Sequence, residues 1–149
     1  MTDGGARPAV VSGAVWSLVI GGVMLAAGGL ITAGVSFDTL RQVAPGSVPD
    51  DSIRASLWLY RGVGALFVLA AASLIALTTR AGRREVRFRR ATVALAMAIT
   101  LVVALAAVLV GTQILALLSL VPIIAGIVLI SRPVALAWFA GADDVEAGL

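Results

Sequence analysis

The sequence predicts an all-α membrane protein, a four-transmembrane-helix bundle with both termini cytoplasmic. Three observations predict it. Of 149 residues, 60% are hydrophobic and 13% charged, with a mean hydropathy of +1.08; soluble domains run at about 45–50% and about 25%. The apolar residues come in blocks long enough to span a bilayer. Between two of those blocks sit six arginines, Arg80, Arg83, Arg84, Arg87, Arg89 and Arg90, the pattern of a cytoplasmic loop.

The first span covers about residues 10–34, an apolar run broken only by small or hydroxyl residues. Twenty residues are enough to cross a hydrocarbon core of roughly 30 Å. A secretory signal peptide also begins with a basic residue and ends in small ones, as Arg7 and Thr32-Ala33-Gly34 do here. Its apolar region is only about 7–15 residues long, so the run reads as an uncleaved helix.

An outside loop, residues 36–56, follows. Phe37, Leu40 and Val43 recur at helical spacing, which predicts a short amphipathic turn on the membrane surface, ended by Pro45-Gly46. Pro49-Asp50-Asp51 reads as a helix start, with proline early and acids in the first turn. The second span, about 57–79, grows from it, and Asp50 is expected to pair with Arg54 at i,i+4.

After the arginine-rich loop at 80–90, the chain carries no charge from Ala91 to Ser131. As one helix this run would be roughly 60 Å long, twice the core thickness. It must fold back, and Gly111-Thr112-Gln113 is the polar point near its middle. The third and fourth spans are therefore about 91–110 and 114–131. The tail, 132–149, opens with Arg132-Pro133 and an apolar stretch, Val134, Leu136, Trp138 and Phe139, suited to the interface. The whole chain, 1–149, is a single membrane domain.

Orientation follows from arginines at the span ends. Arg7, the six loop arginines and Arg132 fall on one side; Arg41, Arg54 and Arg61 fall on the other with Asp38, Asp50 and Asp51. The positive-inside rule makes the first side cytoplasmic.

Net charge is +3, and every basic residue is arginine. The arginines gather at span ends, so the membrane accounts for them before nucleic acid does. Their abundance with Ala, Val and Gly, and the absence of lysine, suggests a GC-rich genome. The chain has no Cys and no His, which excludes disulfides, thiol redox chemistry, Cys/His zinc sites, iron–sulfur ligation and haem held by His. No cofactor is expected. No acidic residue lies in a span, which removes the embedded carboxylate that a coupled transporter needs. No catalytic constellation appears.

Four features are candidates for function. In span 1, Gly21 and Gly28 are seven apart, as are Gly22 and Gly29, and Ser17/Gly21, Gly22/Ala26 and Gly29/Ala33 are small-xxx-small pairs. Such faces let a helix approach closely, either within the bundle or against a partner. Arg61 is the one ionisable residue inside a span. It either snorkels to the headgroups beside Trp58 and Tyr60 or pairs with Asp38, Asp50 or Asp51 at the outer interface. The six clustered arginines set topology, attract anionic lipid, or pair with Asp143, Asp144 and Glu146 of the tail on the same side. Pro122, three residues after Ser119, is either an ordinary proline of a membrane helix, the favoured reading, or the mark of a kink or a broken helix in span 4.

Val35-Ser36-Phe37-Asp38, Arg87-Phe88-Arg89-Arg90-Ala91-Thr92 and Ser131-Arg132-Pro133 through Ala137-Trp138-Phe139 carry a resemblance. On these stretches the chain resembles small four-helix integral membrane proteins of actinobacteria. The likeness covers most of the chain and is one of pattern. It implies a plasma-membrane location and supplies no catalytic residues.

The expectation is a non-enzymatic accessory or scaffold subunit of a larger membrane complex, or one that packs against itself, with anionic headgroups at the 80–90 loop and no nucleic acid. The alternative is a passive channel or small-molecule carrier, for which Thr32, Ser73, Thr100 and Ser119 would have to supply the polar lining. A lipid-processing enzyme is the remote third reading.

Overall fold

The computed structural model describes residues 8–81, 86–110 and 114–139. Among these the chain is helical throughout its ordered elements, with no strand. The helices are α1 (Ala9–Ala33), α2 (Phe37–Val43), α3 (Asp50–Ala81), α4 (Val86–Val110), α5 (Ile114–Leu118) and α6 (Leu120–Ile130). A last helix, α7 (Pro133–Phe139), bends away by 65°. Three helices, α1, α3 and most of α4, are long and apolar enough to cross a membrane, or four segments if Ile114–Ile130 and α7 together count as one. This is the build of a membrane protein.

α1 carries no charged residue in its first or last turn and is apolar all round, as suits a helix with lipid or protein on every side. It runs antiparallel to α3 on one flank and to α5–α6 on the other, so that Gly22 lies against Ile75 and Gly28 against Ala116. α4 closes the ring by packing on α3 and α6, and α1 and α4 sit across the ring from each other without close backbone approach. The core between them is Leu18, Leu25, Phe67, Leu74, Ile99, Val103 and Ile123.

The α5–α6 boundary has a local cause. Pro122 has no N–H to give Leu118. Ser119 keeps helical angles there (φ −63°, ψ −22°), and its hydroxyl donates to the Ala116 carbonyl at 2.6 Å. The segment bends without leaving the helical path. After Ile130 the chain turns at Arg132-Pro133. α7 then lays Ala135 and Phe139 onto Val11, Ala14 and Ile130, closing that end with a second apolar cluster.

Two expectations need correcting. The arginine-rich stretch is not a loop across 80–90: Arg80 lies in the last turn of α3, and Arg87, Arg89 and Arg90 lie on the first turns of α4. A helix need not stop at the lipid boundary, because charged residues continue it in water at little cost. Asp50 does not pair with Arg54. It meets Arg41 at 3.6 Å, while Arg54 meets Asp51 at 3.5 Å. The Gly111-Thr112-Gln113 turn, Arg7, Arg83, Arg84 and the acids of the tail lie outside the described residues.

Candidate functional site

The glycines of α1 form two seams, separated by the 100° step between neighbouring helix positions. Gly22 and Gly29 face α3. A Cβ on Gly29 would stand 2.8 Å from the Gly64 carbonyl oxygen and 2.9 Å from Phe67 Cβ; one on Gly22 would meet Ile75 Cγ1 at 2.8 Å. Gly21 and Gly28 face the α5–α6 segment, where a Cβ would meet Ile123 Cγ1 at 2.6 Å and the Ala116 backbone at 3.2 Å. All four glycines are buried. Their close approaches are made inside the molecule.

Two partners were not among the sequence candidates. Gly64 on α3 meets Ala33 N and Gly29 O at 2.5 Å from its would-be Cβ, and Gly126 on α6 meets Leu18 Cγ at 2.5 Å. Their signal was available in the sequence: a glycine-lined helix needs small residues opposite it to realise a close crossing.

The antiparallel packing sorts the charges by end. The start of α1, the end of α3, the start of α4 and the end of α6 share one end, which carries Arg80, Arg90 and Arg132 in exposed positions. The opposite end holds every acidic residue among the described ones, Asp38, Asp50 and Asp51, with Arg41, Arg54 and Arg61.

That opposite end is built on α3, which at 32 residues is about 48 Å long, well beyond a core of roughly 30 Å. Its first turns stand clear of α1, because Gly64 already lies beside Ala33 at the end of α1. α2 folds back onto these turns. Ser36 caps it, accepting from the Thr39 amide at 3.2 Å. Arg41 then anchors it, with Nη1 donating to the Val48 carbonyl at 2.8 Å and Nε against Asp50. A groove of about 260 Å³ between the two helices is lined by Leu40, Val43, Val48, Ile53, Ser56 and Tyr60. Arg61 lies outside this network. It is exposed, and among the described residues no carboxylate pairs with it: Asp50 pairs with Arg41 and Asp51 with Arg54.

The outward side of α3 below Arg61 was also missed. Gly62, Ala65, Ala72, Ser73 and Ala76 are exposed, and a Cβ on Gly62 would meet nothing within 4 Å. Among the described residues no group of three or more acidic side chains is placed to hold a metal ion. Compared with protein-family models, curated proteins and solved structures, the chain matches none.

Proposed function

We propose that the chain is a non-enzymatic integral protein of the plasma membrane with four spans and both termini cytoplasmic. It serves as an accessory or scaffold subunit that packs against a larger membrane complex or a second copy of itself. The observation that carries this reading is the outward face of α3. Gly62, Ala65, Ala72, Ser73 and Ala76 are exposed along it, beside Leu66 and Leu69, and small residues are what let helices associate in lipid. The glycines of α1 no longer argue for a partner, since they are spent on α3, α5 and α6.

The orientation rests on the segregation of charge among the described residues, with Arg80, Arg90 and Arg132 at one end and mixed signs at the other. The arginine end faces the cytoplasm and the anionic headgroups of that leaflet. The channel reading draws less support. The hydroxyls of Thr32, Ser73, Thr100 and Ser119 each donate to a carbonyl of their own helix at 2.6–2.9 Å. Ser73 is exposed while Thr32 and Ser119 are buried, so the four do not share one path.

The test is isolation of the tagged protein in mild detergent after in-membrane cross-linking. Wild type should carry a second polypeptide or a second copy. The A65L/A72L variant should lose it while keeping its helical content, because both positions are exposed. A wild type that runs only as an uncross-linked monomer would overturn the accessory role.

A further inference from the structure

We infer that Arg54, Trp58 and Arg61 form a binding face for the phosphate headgroup of an anionic phospholipid, in the leaflet at the α2 end of the molecule. The inference rests on the chain lying in a membrane and not on the accessory role.

Depth comes first. α3 ends at the arginine-rich end with Arg80, and about 20 residues cross the hydrocarbon core. Counting back from Thr79 brings the opposite boundary to Tyr60 and Arg61, where headgroups begin. Arg54, Trp58 and Arg61 follow one another at i, i+4 and i+7, so they share one face of the helix. That face points away from the protein: Trp58 is 72% exposed, and the Arg54 side chain 68%.

Charge comes second. The other charged groups at this end of the molecule are Asp50 and Asp51 on α3, and Asp38 and Arg41 on α2, which packs on the Ser52, Ile53, Ser56 and Tyr60 side of α3. Asp50 is held by Arg41 at 3.6 Å. Asp51 reaches Arg54 at 3.5 Å with its own side chain 93% exposed, a contact that water competes for and that contributes little. Among the described residues no carboxylate pairs with Arg61. A guanidinium beside the headgroup layer, without an internal counter-ion, presents the planar fork that takes phosphate oxygens in pairs. Arg54, one turn above Trp58, supplies a second fork. Choline or ethanolamine headgroups bring a cation that the two guanidiniums repel, so the face selects lipids of net negative charge.

Shape comes third. The position next to Arg61 is Gly62, with open space where a side chain would stand, which leaves room for a headgroup beside the guanidinium. Below it Leu66 and Leu69 are exposed and offer an apolar wall to the acyl chains. Trp58 is the aromatic that anchors at this depth.

The test uses the full-length chain with Trp16→Phe and Trp138→Phe, leaving Trp58 as the one remaining tryptophan of three. It is reconstituted in phosphatidylcholine vesicles containing an equal minor fraction of brominated phosphatidylglycerol or brominated phosphatidylcholine. Each guanidinium at a membrane surface favours an anionic headgroup by roughly fivefold, so brominated phosphatidylglycerol should quench Trp58 clearly more than brominated phosphatidylcholine. R54Q/R61Q should abolish the difference, and Gly62→Leu should reduce it with both charges in place. Helical content by circular dichroism confirms that each variant is folded. Equal quenching by the two lipids overturns the inference, as does a preference that survives R54Q/R61Q and so belongs to the arginine-rich end. Loss of the preference on adding inorganic phosphate also overturns it, since the face would then bind free phosphate instead of lipid. Finding only a monomer, with the lipid preference intact, would remove the accessory role and leave this inference standing.

Discussion

Two glycines of α3, two residues apart, should respond to the same substitution in opposite ways. At Gly64 a methyl group would lie 2.5 Å from both the Ala33 nitrogen and the Gly29 carbonyl oxygen, and 2.8 Å from Ala33 Cβ. Ordinary contact begins near 3.4 Å, a shortfall of about 0.9 Å. Two of the opposing atoms are backbone, so no rotamer change relieves the clash, and α1 must move as a unit. A gap of 0.5–1 Å already forfeits about a quarter to a half of each contact's attraction, and the seam includes Phe67 and Val68 against Gly29. Overpacking of this kind costs about 1–3 kcal/mol. At Gly62 the new methyl meets nothing within 4 Å. Alanine is the better helix former by about 0.8–1.0 kcal/mol, and this gain is common to both sites, so it cancels when they are compared. Unfolding in mixed micelles with rising SDS, followed by circular dichroism, should therefore give Gly62→Ala a midpoint at or above wild type and Gly64→Ala one clearly below it. Coincident midpoints would mean that α1 and α3 do not cross where the structure has them.

Gly126→Ala places a methyl 2.5 Å from Leu18 Cγ, and Leu18→Ala alone should cost about 2–5 kcal/mol. The double variant should cost less than the sum in the same assay, because the new methyl takes space that Leu18 vacates. Arg41→Ala removes the ion pair with Asp50 and the bond to the Val48 carbonyl. Both ionic side chains are substantially exposed, so global stability should fall by less than about 1 kcal/mol, while amide exchange across α2 should rise sharply. Ser36→Ala removes the cap of α2, typically about 0.5–2 kcal/mol; limited proteolysis should then cut in 37–43 before anywhere in α3.

Local features were readable in the sequence, and relations between helices were not. Phe37, Leu40 and Val43 marked α2, and Pro49-Asp50-Asp51 marked the start of α3, because spacing and capping act within a turn or two. The same local rule failed for Asp50. An i,i+4 partner was available in Arg54, yet α2 folds back and brings Arg41 to it from nine residues upstream. Arg54 takes Asp51 one residue along. α4 reaches back to Val86 because the apolar run reports where lipid ends, which is not where the helix ends. Pro133 was legible as a break, but the 65° angle of α7 depends on Ala135 and Phe139 finding Val11 and Ile130.

The glycines show most clearly why a count of small residues does not identify a binding face. Gly21, Gly22, Gly28 and Gly29 have the spacing of a helix-association surface, and they do mediate association, but α1 meets its neighbours of the same chain with both seams. A helix in a ring has two flanks to fill, and glycines at successive positions serve both. The outward face of α3 has a weaker motif, one glycine and several alanines, yet a Cβ at Gly62 faces open space where one at Gly64 strikes backbone. For a helix in lipid, a partner is argued from small residues whose opposing surface is missing. By that criterion the contact surface we propose is placed on α3, below Arg61, and not on α1.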